Sequence, residues 1–333
     1  MLRFLFITLL TVLLCESLHG ATGPKEAGVP EPGVGRDLAR SRAAHYRDVR
    51  YGLRVRIAPG ADVMTGAVEI RVTLDPGAGD LVLDWRPAAK DGKPLARVWD
   101  IEVNGRRAGK DDARLVNEHV VIRRALLRAG ENVVRLSFES PISATGSAAV
   151  TRYRDREDGA EYVYTLFVPS DASTAFPCFD QPDLKARFKL DITVPEAWKV
   201  VTNTTPETGG DDQASGMKRI RFRETEPIST YVFAFAAGEF AEFRDDASPL
   251  GTRLFVRKSK AERARKELAE VFRLNRDGVE FFARYFDHPF PFTKYDLVVI
   301  PEFPFRGMEH AGATFLREES ILFPTDPTAN DLW

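Results

Sequence analysis

A mainly β chain that turns α/β towards its end is what this sequence predicts. Three observations carry that expectation. Apolar and polar residues alternate in many short runs from about Tyr51 to Phe243; turn residues separate the runs; and the apolar period lengthens from two to three or four over residues 260–286. The first part is expected to form a large antiparallel sandwich or saddle. At 333 residues the chain is long enough for two substantial cores.

The chain opens with Arg3, then a short apolar run from Leu5 to Leu14, then the small residues Gly20 and Ala21. That order is the pattern of a secretory signal over residues 1–21. The run is shorter than the roughly 20 residues a bilayer span needs, so export to a periplasmic or extracellular location is expected, without stable membrane insertion after cleavage. Cleavage would remove Cys15 and leave Cys178 alone, so no internal disulfide is expected. Pro24, Gly28, Pro30, Pro32, Gly33 and Gly35 then mark residues 22–45 as a linker.

Strands follow over residues 46–246. Leu53, Val55 and Ile57 share one face, and Val68, Ile70, Val72 and Leu74 share another. Leu81 to Leu83 and Val98 to Val103 are further strands, the second closing on Asn104-Gly105, a strong two-residue hairpin signal. Val133 to Phe138, Phe188 to Val194, Ile220 to Phe222 and Tyr231 to Ala236 complete the series.

A second domain is expected over residues 247–333, with the boundary near Arg244 to Pro249. Ala264, Leu268, Val271, Phe272, Val279, Phe282 and Phe286 recur at helical spacing, and Glu262, Arg263, Arg265, Lys266 and Glu267 supply the polar surface. His288-Pro289 ends this helix. Tyr295 to Ile300 reads as a buried strand, and Phe315 to Phe323 as another extended segment.

A net charge of −2, with 29% charged and 44% hydrophobic residues, is a globular balance and gives no broad basic surface for nucleic acid. Arg36, Arg40, Arg42, Arg47 and Arg50 make a locally basic stretch that reads as solvated surface.

Two segments carry chemistry. The run Phe176-Pro177-Cys178-Phe179-Asp180-Gln181-Pro182 is rich in turn residues, and taken alone its Asp180 would cap a turn. The second is Arg306-Gly307-Met308-Glu309-His310-Ala311-Gly312-Ala313, preceded by Asp287 to Phe292, Lys294-Tyr295-Asp296 and Pro301-Glu302-Phe303. An exposed carboxylate such as Glu309 can hold a protonated amine through a charge-assisted hydrogen bond worth about 1.5–3 kcal/mol. A glycine at 307 lets backbone approach an extended peptide closely, so that the segment pairs like an added edge strand.

Together, in this order, the two segments resemble the M1 zinc aminopeptidases. The first is similar to the F-P-C-F-D-E-P run of that family's β-rich N-terminal domain, with Gln181 where glutamate is usual. The second is similar to the G-A/G-M-E-N exopeptidase signature, with Arg306 for the first glycine and His310 for asparagine, as in a bacterial branch of the family. The resemblance implies an aminopeptidase N-like parent whose second domain is the start of a thermolysin-like catalytic domain. It implies that Gly307, Met308, Glu309 and His310 face the free N-terminus of a peptide, and that Cys178 packs rather than attacks. Val168 falls where many members place a glutamine or glutamate for the substrate amine, so that anchor is expected to be missing.

The resemblance also implies zinc, held by an H-E-x-x-H helix with a further acidic ligand. The five histidines are His19, His45, His119, His288 and His310, and no two are four apart. The zinc ligands, the general base and the transition-state tyrosine are therefore expected beyond Trp333, and no catalytic or metal residue within the chain. Asp326 to Trp333, with Thr328 or Asn330 as a cap, reads as the approach to a helix, so the chain is expected to be the inactive N-terminal portion of an exported enzyme. A non-catalytic peptide-binding or scaffold protein is the alternative, and an M1-like epoxide hydrolase is a third reading.

Overall fold

The computed structural model describes residues 30–323 apart from 88, 91–92, 145–147, 208–211 and 215. Residues 1–21, read as a secretory signal, and residues 326–333, read as the approach to a helix, lie outside the described residues. The largest element is an eight-stranded sheet. Its order is Asp212–Ala214, Met217–Arg221, Ala186–Pro195, Tyr46–Arg56, Val63–Leu74, Gly130–Pro141, Arg97–Val103 and Arg106–Arg107. Neighbours are antiparallel except Tyr46–Arg56 and Ala186–Pro195, which run parallel with Val49 opposite Ala186. The predicted alternation holds: Leu53, Val55, Val68, Ile70, Val72 and Leu74 are all buried. Asn104 and Gly105 both take left-handed backbone, φ 52° and 82°, and close the hairpin between Val103 and Arg106.

A four-stranded sheet, ordered Val150–Arg154, Glu161–Thr165, Phe235–Gly238 and Lys199–Thr202, stands next to it. Beyond lies a five-stranded sheet ordered Phe240–Arg244, Arg253–Arg257, Asp296–Ile300, Ala313–Arg317 and Gly307–Met308. The boundary read near 244–249 falls in the turn between its first two strands. Its middle pairings are parallel, and the helix Ala261–Tyr285 makes the crossover between Arg253–Arg257 and Asp296–Ile300. Strand alternation divides this sheet's faces: Phe255, Val298, Ile300 and Phe315 pack with Tyr162, Tyr164 and Ala236 of the four-stranded sheet. Leu254, Val256, Leu297 and Val299 pack with Ala264 and Phe272 of the helix.

The helix matches its sequence reading, and Asp287, at φ 50°, turns the chain away just before His288-Pro289. Only part of its apolar stripe is covered. Leu274, Phe281, Phe282, Tyr285 and Phe286 are more than half exposed.

The linker reading is corrected at its end, because Arg36–His45 is a helix. The reading of Arg42 as solvated is corrected with it. Its side chain is fully buried, with Nη1 and Nη2 donating to the two carboxylate oxygens of Asp84 at 2.9 and 2.6 Å and Nη2 also to the Val82 carbonyl. A buried guanidinium is tolerated where a carboxylate answers it in this bidentate way. Gln181 adds to the hold, its Nε2 donating to the Ala39 carbonyl at 3.0 Å, a bond an ionised glutamate there could not make.

Candidate functional site

Gly307 and Met308 form the outermost strand of the five-stranded sheet, paired on one side only, with Gly307 opposite Leu316 and Met308 opposite Phe315. Burial alternates along the segment: Gly307 and Glu309 are exposed, whereas Met308 and His310 are buried. This is the period of two that an edge strand imposes. The Met308 side chain joins the cluster between the sheets, beside Phe303 and Phe315. Val168 packs on the same cluster and presents no hydrogen-bonding group there.

Gly307 has a reason to be glycine on its own side of the strand. A Cβ there would stand 3.2 Å from Leu316 Cδ2 and 3.4 Å from the Phe315 carbonyl oxygen. The close approach the sequence suggested towards a substrate is thus already made towards the neighbouring strand.

Glu309 is exposed and, among the described residues, makes no hydrogen bond or ion pair, so its carboxylate is available to a ligand. His310 sits differently. It is 2% exposed, its ring stands edge-on to Phe315 at 4.5 Å, and neither ring nitrogen has a hydrogen-bond partner among the described residues. Burial pushes its pKa down to about 3, so the ring is neutral and contributes no charge to the surface beside Glu309.

Both ends of the segment are held. On the near side, Arg317 Nε donates to the Phe303 carbonyl at 2.8 Å and its Nη2 to that of Pro304 at 2.5 Å, while the Tyr164 hydroxyl donates to the Pro301 carbonyl. On the far side, Lys294 Nζ donates to the Gly312 carbonyl at 2.8 Å and to Asp296 Oδ2 at 2.7 Å. Arg253 grips the same carboxylate through Nε and Nη2. Burial pushes the Lys294 pKa down to about 8, the Asp296 contact offsetting part of that cost.

In the sequence Lys294 and Asp296 stand out only as part of the segment that leads into Arg306–Ala313, and Arg253 and Arg317 do not stand out at all. Their signal was faint: a Lys-x-Asp pair at the mouth of an apolar strand whose partners lie tens of residues away.

The other motif lies in the first core. Cys178 is fully buried, and burial pushes its thiol pKa well up, the opposite of what a nucleophile needs. Asp180 accepts the Ser173 amide at 3.0 Å, and burial raises its pKa to about 6.

Among the described residues, no three His, Cys, Asp or Glu side chains converge in a set able to hold a metal ion. The described residues therefore do not fit a zinc ion. No helix among the described residues is long and apolar enough to cross a membrane. A groove of about 510 Å³ opens elsewhere, between the exposed helix face and Pro289, Phe290 and Tyr295; none of residues 302–312 lines it.

Comparison with known proteins agrees with the fold. Residues 44–232 match the model of the peptidase M1 N-terminal domain, and residues 272–331 match that of the peptidase family M1 domain. The chain is 28% identical over 300 residues to an aminopeptidase N of Streptomyces lividans, covering 88% of this chain and 33% of that protein. It is 32% identical over 287 residues to a probable M1 family aminopeptidase 1 of Encephalitozoon cuniculi, covering 82% and 31%. It is 30% identical over 190 residues to a leucyl aminopeptidase of Saccharolobus solfataricus, covering 57% and 23%. The chain thus spans a third or less of the length of these relatives.

Proposed function

The chain belongs to the M1 peptidase family, and on that premise we propose that it is the part of an exported aminopeptidase that receives the free amino end of a peptide. The observation that carries this reading is the exposed carboxylate of Glu309, unpaired among the described residues, directly after an open edge strand. An extended peptide can add its backbone to the free side of Gly307-Met308, which leaves its terminal ammonium near Glu309. A charge-assisted hydrogen bond there rewards a free amine and refuses an acylated one.

In this reading Gly307 and Met308 align the peptide and Glu309 selects its end, while His310 supports the strand from behind. Zinc would supply the hydrolytic chemistry of such an aminopeptidase, and the described residues offer no set of side chains to hold it. The 333 residues by themselves are proposed to bind peptide without cleaving it.

The test is calorimetric titration of the chain with a short peptide and with its Nα-acetylated counterpart. A preference of about tenfold or more for the free amine, abolished by Glu309→Gln, is the expected result. Equal affinity for the two peptides would overturn the amine reading and fit a non-catalytic scaffold instead. Chelator-sensitive release of amino acids from an aminoacyl anilide would overturn the proposed inactivity of these residues.

A further inference from the structure

The hold on the far side of Glu309 reaches outside its own sheet. Asn203 follows the strand Lys199–Thr202 of the four-stranded sheet and is buried. Its Nδ2 donates to the carbonyls of Val232 and Ala311, each at 2.9 Å, and its Oδ1 accepts the Ala234 amide at 3.0 Å. Three polar bonds of one amide are thus spent. Two stay with the chain leading into the four-stranded sheet, and one crosses to the residue two places after Glu309.

Other contacts close the same junction. The Ala311 methyl is buried in the core of the eight-stranded sheet, and its amide donates to the Val232 carbonyl at 3.3 Å. Gly312 takes φ +69°, and a Cβ there would stand 2.7 Å from the Asn203 carbonyl oxygen. The two backbones touch.

We propose that Asn203 is a positioning residue: by holding the Ala311 carbonyl it fixes where the Glu309 carboxylate stands at the sheet edge, and so sets how strongly a free amine is preferred. The inference rests on the reading of Glu309 as amine acceptor. Hydrogen bonds to a charged group weaken steeply with angle and distance, so a small displacement of the strand costs selectivity before it costs the fold. Without the amide, the carbonyls of Val232 and Ala311 and the Ala234 amide each lose a buried partner.

The experiment combines two readouts on the full chain and its Asn203→Ala, Asn203→Ser, Glu309→Gln and Asn203→Ala/Glu309→Gln variants. One is the affinity ratio for trialanine amide against its Nα-acetylated form; the other is hydrogen exchange over residues 307–313. Asn203→Ala is expected to lower the ratio about tenfold and to speed exchange at 310–313. Asn203→Ser keeps one donor and should recover part of both effects. The double variant should be no less selective than Glu309→Gln alone, because Asn203 acts through Glu309. A folded Asn203 variant with unchanged ratio and unchanged exchange overturns the proposal. If the unaltered chain shows no preference for the free amine, the reading of Glu309 fails, and exchange alone then decides whether Asn203 holds the strand. Should Asn203→Ala not fold, Asn203→Ser carries the same comparisons.

Discussion

Arg257 closes on Glu318 through two hydrogen bonds, Nε to Oε2 at 2.7 Å and Nη2 to Oε1 at 2.5 Å, both side chains being almost wholly buried. The same guanidinium stands 2.7 Å from Asp155 Oδ2 and over the ring of Tyr153. One cation therefore answers two carboxylates, one from the five-stranded sheet's side and one from the hairpin of the four-stranded sheet. Removing it leaves Glu318 buried without its cation and Asp155 held only by the Ser259 hydroxyl and the Glu157 amide. Arg257→Leu is expected to lose about 3–5 kcal/mol in urea unfolding, and an unchanged midpoint would show that the pairing contributes nothing.

Glu309 should separate binding from stability. It is exposed and touches no partner among the described residues, so Glu309→Gln is expected to shift the unfolding free energy by less than about 0.5 kcal/mol. The same variant is expected to lose the preference for a free amine. A large stability loss would mean that Glu309 has a structural partner instead.

His310 predicts an acid response with a definite sign. Its pKa is about 3 in the folded chain against an ordinary 6.5, so between those values the unfolded chain takes up a proton that the fold refuses. Stability from this group is complete above pH 6.5 and falls as the pH drops towards 3, by up to about 1.4 kcal/mol per unit. Asp180 works the other way, since its pKa is raised to about 6 from 3.8 and it favours the fold on acidification through that window. The difference between the chain and His310→Leu isolates the histidine: the variant should lose less stability between pH 6.5 and 4. Parallel pH profiles would refute the assignment.

Gly312 and Gly251 make a matched pair. Both take positive φ, +69° and +58°, but a Cβ at Gly251 meets nothing within 4 Å whereas one at Gly312 meets the Asn203 carbonyl oxygen at 2.7 Å. Gly251→Ala should cost only the left-handed strain, about 1–2 kcal/mol. Gly312→Ala should cost that plus a steric term of about 1–3 kcal/mol. Thermal unfolding of the two variants reads the difference, and equal losses would mean that the junction yields freely.

What could be read from the sequence was mostly local. Asn104-Gly105 announces its hairpin because two successive left-handed residues need those side chains, and the crossover helix announces itself by period. The burial of Arg42 is not legible in the sequence because it depends on Asp84, 42 residues later, and nothing in the neighbouring Pro, Gly and Arg residues records that partner. The parallel pairing of Tyr46–Arg56 with Ala186–Pro195 is hidden for the same reason. The burial of His310, by contrast, is legible in the sequence. In an extended segment, residues two apart share a face, so the apolar Met308 already told which way the histidine points.

Adjacent parts of one short segment are anchored in different cores: Met308 in the cluster between the sheets and Ala311 in the core of the eight-stranded sheet. The consequence concerns cooperativity. A loop that merely carries a binding group can melt and re-form by itself, but this strand can leave its place only by opening two apolar clusters together. The amides that pair this strand with Ala313–Arg317 should therefore belong to the slowest-exchanging unit of the molecule, and a cut between the sheets would destroy the strand rather than release it as an autonomous piece.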